Sequence, residues 1–186
     1  MTEPYIVAGN HKVYFLDPHP DMFDIETIAQ SLSGIRRFTN HTSRPYSVAE
    51  HSIMVAHLVA TYGGDYTEQL QGLLHDSAES IISDVPTPIK RVCPKLEQIE
   101  RIVRRCIYDK YYLPHKDSEL VERADKEALQ IEVLNLFPKD QHEWFGMYNA
   151  AQILYTTPEF STYTNFLNLF RELQRYRKLT NDRTKI

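Results

Sequence analysis

Apolar residues return at three- and four-residue intervals in one window after another of this chain, and most windows are bounded by a capping residue, glycine or proline. That interval is the period of an α-helix with one face turned to a core and the other to water. Ile25, Ile28, Ala29 and Leu32 follow Asp24, a good N-cap, and run to Gly34. Ser47-Val48-Ala49-Glu50 reads as a capping box that opens an apolar-rich helix through about residue 60. Tyr62-Gly63-Gly64 breaks it, and Asp65 caps a third helix whose inner face, Leu70, Leu73 and Leu74, ends at His75. Pro86 and Pro88 then interrupt the chain, and Leu96, Ile99, Ile102, Val103 and Ile107 mark an amphipathic helix to about Tyr112. A further helix from Asp117 carries Leu120, Val121, Ala124, Ala128, Ile131 and Leu134 and stops before Pro138, with Asp125 at its middle. A last one spans roughly residues 161–178, ahead of a polar, basic tail. Only residues 12–16 are β-prone, so the expected fold is all-α, a single helical bundle with a short N-terminal strand or arm.

At 186 residues the chain fits one domain, with its core expected over about 24–136 and the C-terminal helix packed beside it. Hydrophobic residues at 42% and charged residues at 25% are ordinary globular usage. A net charge of −4 argues against binding polymeric nucleic acid but leaves small anions possible wherever cations cluster. Cys93 and Cys106 are too few for a disulfide scaffold or a thiolate metal cage, which fits a reducing compartment. The first residues lack the pattern of a secretory leader and no run is apolar enough to span a membrane, so a cytoplasmic protein is expected.

The chemistry centres on His75-Asp76. Chance alone supplies roughly half of one His-Asp dipeptide in such a composition, so the pair needs company. It has His51 near the start of one helix, Asp125 in the middle of another, and Glu79 three residues beyond. Mixed nitrogen and oxygen donors suit a divalent transition ion (Co, Mn, Zn or Fe) better than Mg or Ca.

The arrangement resembles the HD-domain metal-dependent phosphohydrolase superfamily, in which a His, a His-Asp pair and a distant Asp bind one metal. The segments Tyr46 to Ser52, Leu73 to Glu79, and Asp84-Val85-Pro86-Thr87-Pro88-Ile89-Lys90 resemble the bacterial 5′-deoxynucleotidases and their phage relatives, some of which remove triphosphate from dATP. The likeness covers roughly residues 24–136. It implies His51, His75, Asp76 and Asp125 as metal ligands. Glu79 and Asp84, just beyond the His75-Asp76 pair in sequence, are the implied acid/base pair. An arginine-aromatic pair upstream of the first histidine contacts nucleotide in those enzymes. Arg37-Phe38 matches it, although the interval to His51 is one residue shorter and leaves Arg36 a rival. Arg36, Arg37, Arg44, Lys90 and Arg91 are the cations near the site in sequence, and Lys90 is the preferred phosphate contact.

The expected activity is hydrolysis of a 2′-deoxynucleoside 5′-monophosphate to nucleoside and phosphate. The alternatives are release of triphosphate from a deoxynucleoside triphosphate and, more distantly, a non-catalytic nucleotide-binding module. Ser80 stands where alarmone hydrolases carry an acid, and the second signature of cyclic-dinucleotide phosphodiesterases is absent. Relatives form homo-oligomers, so the resemblance implies one here. Phe38 or Tyr46 could stack on a base or fill core space. His41, His57 and His115 read as ordinary histidines, residues 171–178 as a solvated helix face, and Trp144 as packing.

Overall fold

The computed structural model describes residues 3–147 and 161–183. Among the described residues eight α-helices carry the fold: α1 (Ile25–Gly34), α2 (Val48–Thr61), α3 (Tyr66–Leu74), α4 (Glu79–Ile82), α5 (Thr87–Val92), α6 (Pro94–Lys110), α7 (Glu119–Leu136) and α8 (Thr162–Arg183). A two-stranded antiparallel hairpin, β1 (Ile6–Ala8) and β2 (His11–Val13), precedes them, with Ile6 opposite Val13. The expected strand at residues 12–16 is thus shorter, starts one residue earlier, and has a partner that alternation in the sequence did not reveal. The protein is predominantly all-α, as its helical periodicity requires.

α2 is the axis of the fold. Its capping box forms as the sequence dictates, Ser47 accepting from the Glu50 backbone while the Glu50 carboxylate accepts from the Ser47 backbone. Val48, Ala49, residues 51–56 and Val59 are all buried, packed by α1, α3, α7 and α8, and exposure is confined to His57, Ala60 and Thr61 near the C-terminal end. Close approach to α3 depends on Gly72, where an added Cβ would lie 3.3 Å from Val59 Cγ2 and 3.4 Å from the Ala56 Cα. α8 lays Phe166, Leu167, Phe170 and Leu173 into the main core, and the helix continues past residue 178 into the stretch expected to be a tail.

The loop into α7 is pinned by polar contacts. Gln71 donates to the carbonyls of Pro114 and Lys116 and accepts from the Ser118 backbone, and Asp117 accepts from Tyr108 and Arg104. With Asp117 so engaged, Ser118 caps α7 instead. Asp24 likewise occupies the N-cap position of α1 without capping it, since its carboxylate meets His11 and Lys110. Pro86 and Pro88, which looked like interruptions, are the N-cap and a first-turn residue of α5, and Pro94 opens α6, positions where a missing N–H costs nothing.

Between α1 and α2 the chain makes an unusual turn: Phe38, Thr39 and Asn40 have φ of 54°, 50° and 63°, all left-handed. The turn is held by pairing of Arg37 N–H with the Tyr46 carbonyl and by Ser43 N–H bonded to the carbonyl of Leu136 at the end of α7. No helix among the described residues is long and apolar enough to cross a membrane.

Candidate metal centre and its cavity

Each histidine of the cluster has one ring nitrogen committed. His75 follows the last turn of α3 and places Nδ1 2.7 Å from the Gly72 carbonyl oxygen, which can only accept; Nδ1 therefore carries a proton, and in the neutral ring Nε2 carries the lone pair. His51, in the first turn of α2 and wholly buried, places Nδ1 2.5 Å from the Glu132 carboxylate of α7, with the same outcome in the neutral ring. The two Nε2 atoms face each other at 3.2 Å. Asp125 Oδ1 lies 3.1 Å from one and 3.7 Å from the other, and Asp76 Oδ2 lies 3.5 and 3.3 Å from the same pair.

Two lone pairs at that distance repel unless a proton or a cation lies between them. The His51, His75 and Asp125 donor atoms all fall within 4.8 Å of one another. Most of the spacings are those of neighbouring ligands around one ion with bonds of about 2.0–2.2 Å. The donor set, two imidazole nitrogens and two carboxylate oxygens, each imidazole oriented through its other nitrogen, fits a divalent transition ion.

Charge in the site follows burial and neighbours. Burial opposes protonation of His75, but Asp76 and Asp125 outweigh it and hold its pKa well above the ordinary imidazole value. Burial and Arg37 oppose protonation of His51, yet Glu132 and Asp125 still raise its pKa. Asp76 and Asp125 resist burial and stay ionised, their pKa values far below the carboxylate norm because of the two histidines. Glu79 is the opposite case. Burial, then the negative charges of Asp76 and Asp84, push its pKa up to about 9, so it is a neutral acid at pH 7. Its buried Oε2 has no hydrogen-bond partner among the described residues. Asp84 is also raised, first by burial, despite Arg37 nearby.

A cavity of about 710 Å³ opens over the cluster. Arg37, Phe38, Asp76, Glu79, Asp84, Lys90 and Asp125, all singled out from sequence, line it. His51 and His75 lie buried behind Asp76 and Asp125. Three of the sequence candidates are elsewhere. Arg36 is exposed, its backbone pairing with Ser47, Arg44 is bound to Glu50 and packed over the buried Tyr46 ring, and Arg91 is exposed; none of them lines the cavity. Tyr46, at 2% exposure, fills core space, which leaves Phe38 as the aromatic of that pair at the cavity. Trp144 corrects the reading as packing: it is 77% exposed and lines the cavity, as does His41. Asp125 does not lie in a sealed stripe, since its side chain is 47% exposed at the cavity wall.

Sequence reading missed Glu132. This residue, 2% exposed, takes His51 on one oxygen and Arg37 on the other at 3.0–3.1 Å, and Arg37 reaches on to Asp76 at 3.4 Å. Its signal was present: it stands seven residues after Asp125, two helical turns along the same face of α7. It also missed Glu100, whose carboxylate holds the Lys90 ammonium at 2.7 Å, with Glu79 3.5 Å away on its other side.

The fold and site define a helical protein with a His/Asp centre able to hold a metal ion at the floor of a ligand-sized cavity. No protein-family model matches the chain. The chain belongs to the family of the uncharacterized protein YfdR of Escherichia coli (strain K12), with which it is 34% identical over 137 residues, 74% of each chain. It is 33% identical to an uncharacterized protein of Rhodobacter capsulatus over 66% of this chain and 65% of that one. Similarity also extends to a 5′-deoxynucleotidase of Yersinia pestis, 30% identical over 44% of this chain; the match spans 57% of that enzyme.

Proposed function

We propose that the protein is an HD-type, metal-dependent phosphohydrolase acting on 2′-deoxynucleotides, foremost a 5′-deoxynucleotidase that releases phosphate from a deoxynucleoside 5′-monophosphate. The observation that carries the reading is the convergence of two Nε2 lone pairs and two carboxylates beside a neutral buried Glu79 in one cavity. The similarity to proteins named 5′-deoxynucleotidase supports the substrate class. His51, His75, Asp76 and Asp125 would hold a divalent ion, which would supply a Lewis acid for the phosphoryl group. The chain's own groups supply the rest. Glu79 holds a proton on an oxygen inside the cavity and can deliver it to the leaving ester oxygen, while the Asp84 carboxylate, lining the same cavity, can accept one from the attacking water. Lys90, held between Glu79 and Glu100, places a positive charge at the cavity wall where a phosphate must sit. Arg37 is taken up by Glu132 and Asp76, so it serves first to orient those carboxylates.

The test is incubation of purified protein with deoxy- and ribonucleoside mono- and triphosphates and Co²⁺, Mn²⁺ or Zn²⁺, with products identified. Phosphate from deoxynucleoside monophosphates is the expected result. Triphosphate release would replace the reading with the triphosphohydrolase alternative, and no release from any substrate would leave a binding module.

A further inference from the structure

The cavity is lined by two chemically different sets of side chains: Arg37, Asp76, Glu79, Asp84, Lys90 and Asp125 are ionisable, and Phe38, Leu129, Phe137, Trp144 and Phe145 are apolar. Three of the apolar set form an aromatic cluster. Phe38 meets Phe137 edge-on at 5.1 Å between centroids, and Phe137 meets Phe145 at 4.9 Å. On the 3₁₀ turn Lys139–Phe145 stands Trp144, 77% exposed, with Phe145 and Leu129 each 39% exposed on the same cavity. Phosphate chemistry makes no use of such a lining, and leaving indole in water forgoes the stabilisation that burial would bring. A largely aromatic apolar lining in the same cavity as a cation and several acids matches a ligand with a phosphate at one end and a planar ring at the other.

We propose that Trp144, supported by Phe145, is the base-binding residue of this site, stacking its indole on the nucleobase and so setting selectivity for nucleotides over other phosphate monoesters. The proposal rests on the nucleotide reading above and adds to it the recognition element for the base. A cavity of about 710 Å³ lies within the range of small-molecule sites, roughly 300–1,000 Å³. Stacking of this kind is tolerant of base identity, because every base offers a π face.

Trp144 is the chain's single tryptophan, so its emission reports on the site directly. Metal-loaded wild type is titrated with deoxyadenosine monophosphate, thymidine monophosphate and deoxyribose 5-phosphate, and steady-state rates are measured for wild type, Trp144→Ala and Trp144→Phe on the same three compounds. Both nucleotides are expected to quench the emission saturably and the sugar phosphate to leave it unchanged. Trp144→Ala should raise KM for the nucleotides roughly tenfold or more with kcat within about twofold, by the usual worth of one base-aromatic stack, and Trp144→Phe should recover most of the loss. Turnover of deoxyribose 5-phosphate should be the same in all three proteins. Nucleotide turnover by wild type with an unchanged KM in Trp144→Ala would overturn the stacking role and leave the phosphohydrolase reading standing. Equal quenching by the sugar phosphate would also overturn it. Saturable nucleotide-specific quenching without turnover of any compound would uphold the base site and sink the hydrolase reading.

Discussion

Replacing Glu132 tests the architecture of the centre more directly than replacing a presumed ligand. Its two oxygens accept from different donors, His51 Nδ1 on one and the Arg37 guanidinium on the other, and it is 2% exposed. Glu132→Ala leaves the buried Arg37 charge with Asp76 alone at 3.4 Å, and breaking one partner of a buried pair costs about 3–5 kcal/mol. For a chain of this length each kcal/mol moves Tm by about 2–4 °C, so a fall of about 6–20 °C is expected. Glu132→Gln keeps the shape but turns an amide N–H toward one of the two donors, and should cost about 2 kcal/mol, one charge-assisted hydrogen bond. Glu132→Ala removes the acceptor that orients the His51 ring, which should weaken metal binding roughly 10- to 100-fold, and Glu132→Gln should weaken it less. Thermal unfolding and metal titration read the two effects separately. His51 and Arg37 hold the Glu132 pKa down against the pull of burial. Its stabilising contribution is therefore complete above the unfolded value near 4.5 and disappears as pH falls through the lower folded value, so wild type should lose its advantage over Glu132→Ala in acid. The double variant Arg37→Met with Glu132→Leu should recover much of the stability, because no charge is then stranded. If Glu132→Ala melts within about 2 °C of wild type and binds metal equally well, the argument that this carboxylate organises His51 and Arg37 is wrong.

Three further outcomes are expected. Glu79 has a folded pKa of about 9 against 4.5 when free, so its favourable protonated state is lost as pH rises toward 9. Metal-free Glu79→Gln should accordingly gain stability over wild type between about pH 5 and pH 9 in urea titrations, while metal-loaded Glu79→Gln keeps its metal and loses turnover. Asp125→Ala and Asp76→Ala should each abolish metal uptake and activity together, by elemental analysis and phosphate release; retention of stoichiometric metal by either would remove that residue from the ligand set. Ser47→Ala deletes the α2 cap and should cost about 1 kcal/mol with KM unchanged, since the loss falls on helix entry and leaves the cavity untouched.

The helices were legible wherever a capping residue coincided with apolar periodicity, and α2 and α3 begin at Ser47 and Asp65 as local rules require. Boundaries slipped where a long-range contact claimed the capping residue, as Tyr108 and Arg104 claim Asp117. The two short helices α4 and α5 have too few turns for a period to show. In the site, His75-Asp76, His51 and Asp125 stood out because unusual residue types coincide with a family-like spacing. Glu132 did not, because a glutamate on a helix reads as solvated until its partners, 81 and 95 residues away in sequence, are known. Trp144 was misjudged for a related reason: large apolar residues are ordinarily core, and only the cavity shows this one turned outward.

The left-handed run from Phe38 to Asn40 places a constraint on how this protein can be improved. Thr39 is β-branched and holds φ at 50°, a conformation that costs roughly 1 kcal/mol and that glycine would adopt freely. Selection for thermal resistance alone should therefore find Thr39→Gly early. The same run sets the angle at which Arg37 enters the centre and Phe38 meets the aromatic cluster, and its Phe38 backbone bonds Asp84. Loosening it would let three cavity residues drift together, so gains in heat tolerance at this turn should be bought with substrate discrimination, and homologues adapted to hot environments should find their stability elsewhere.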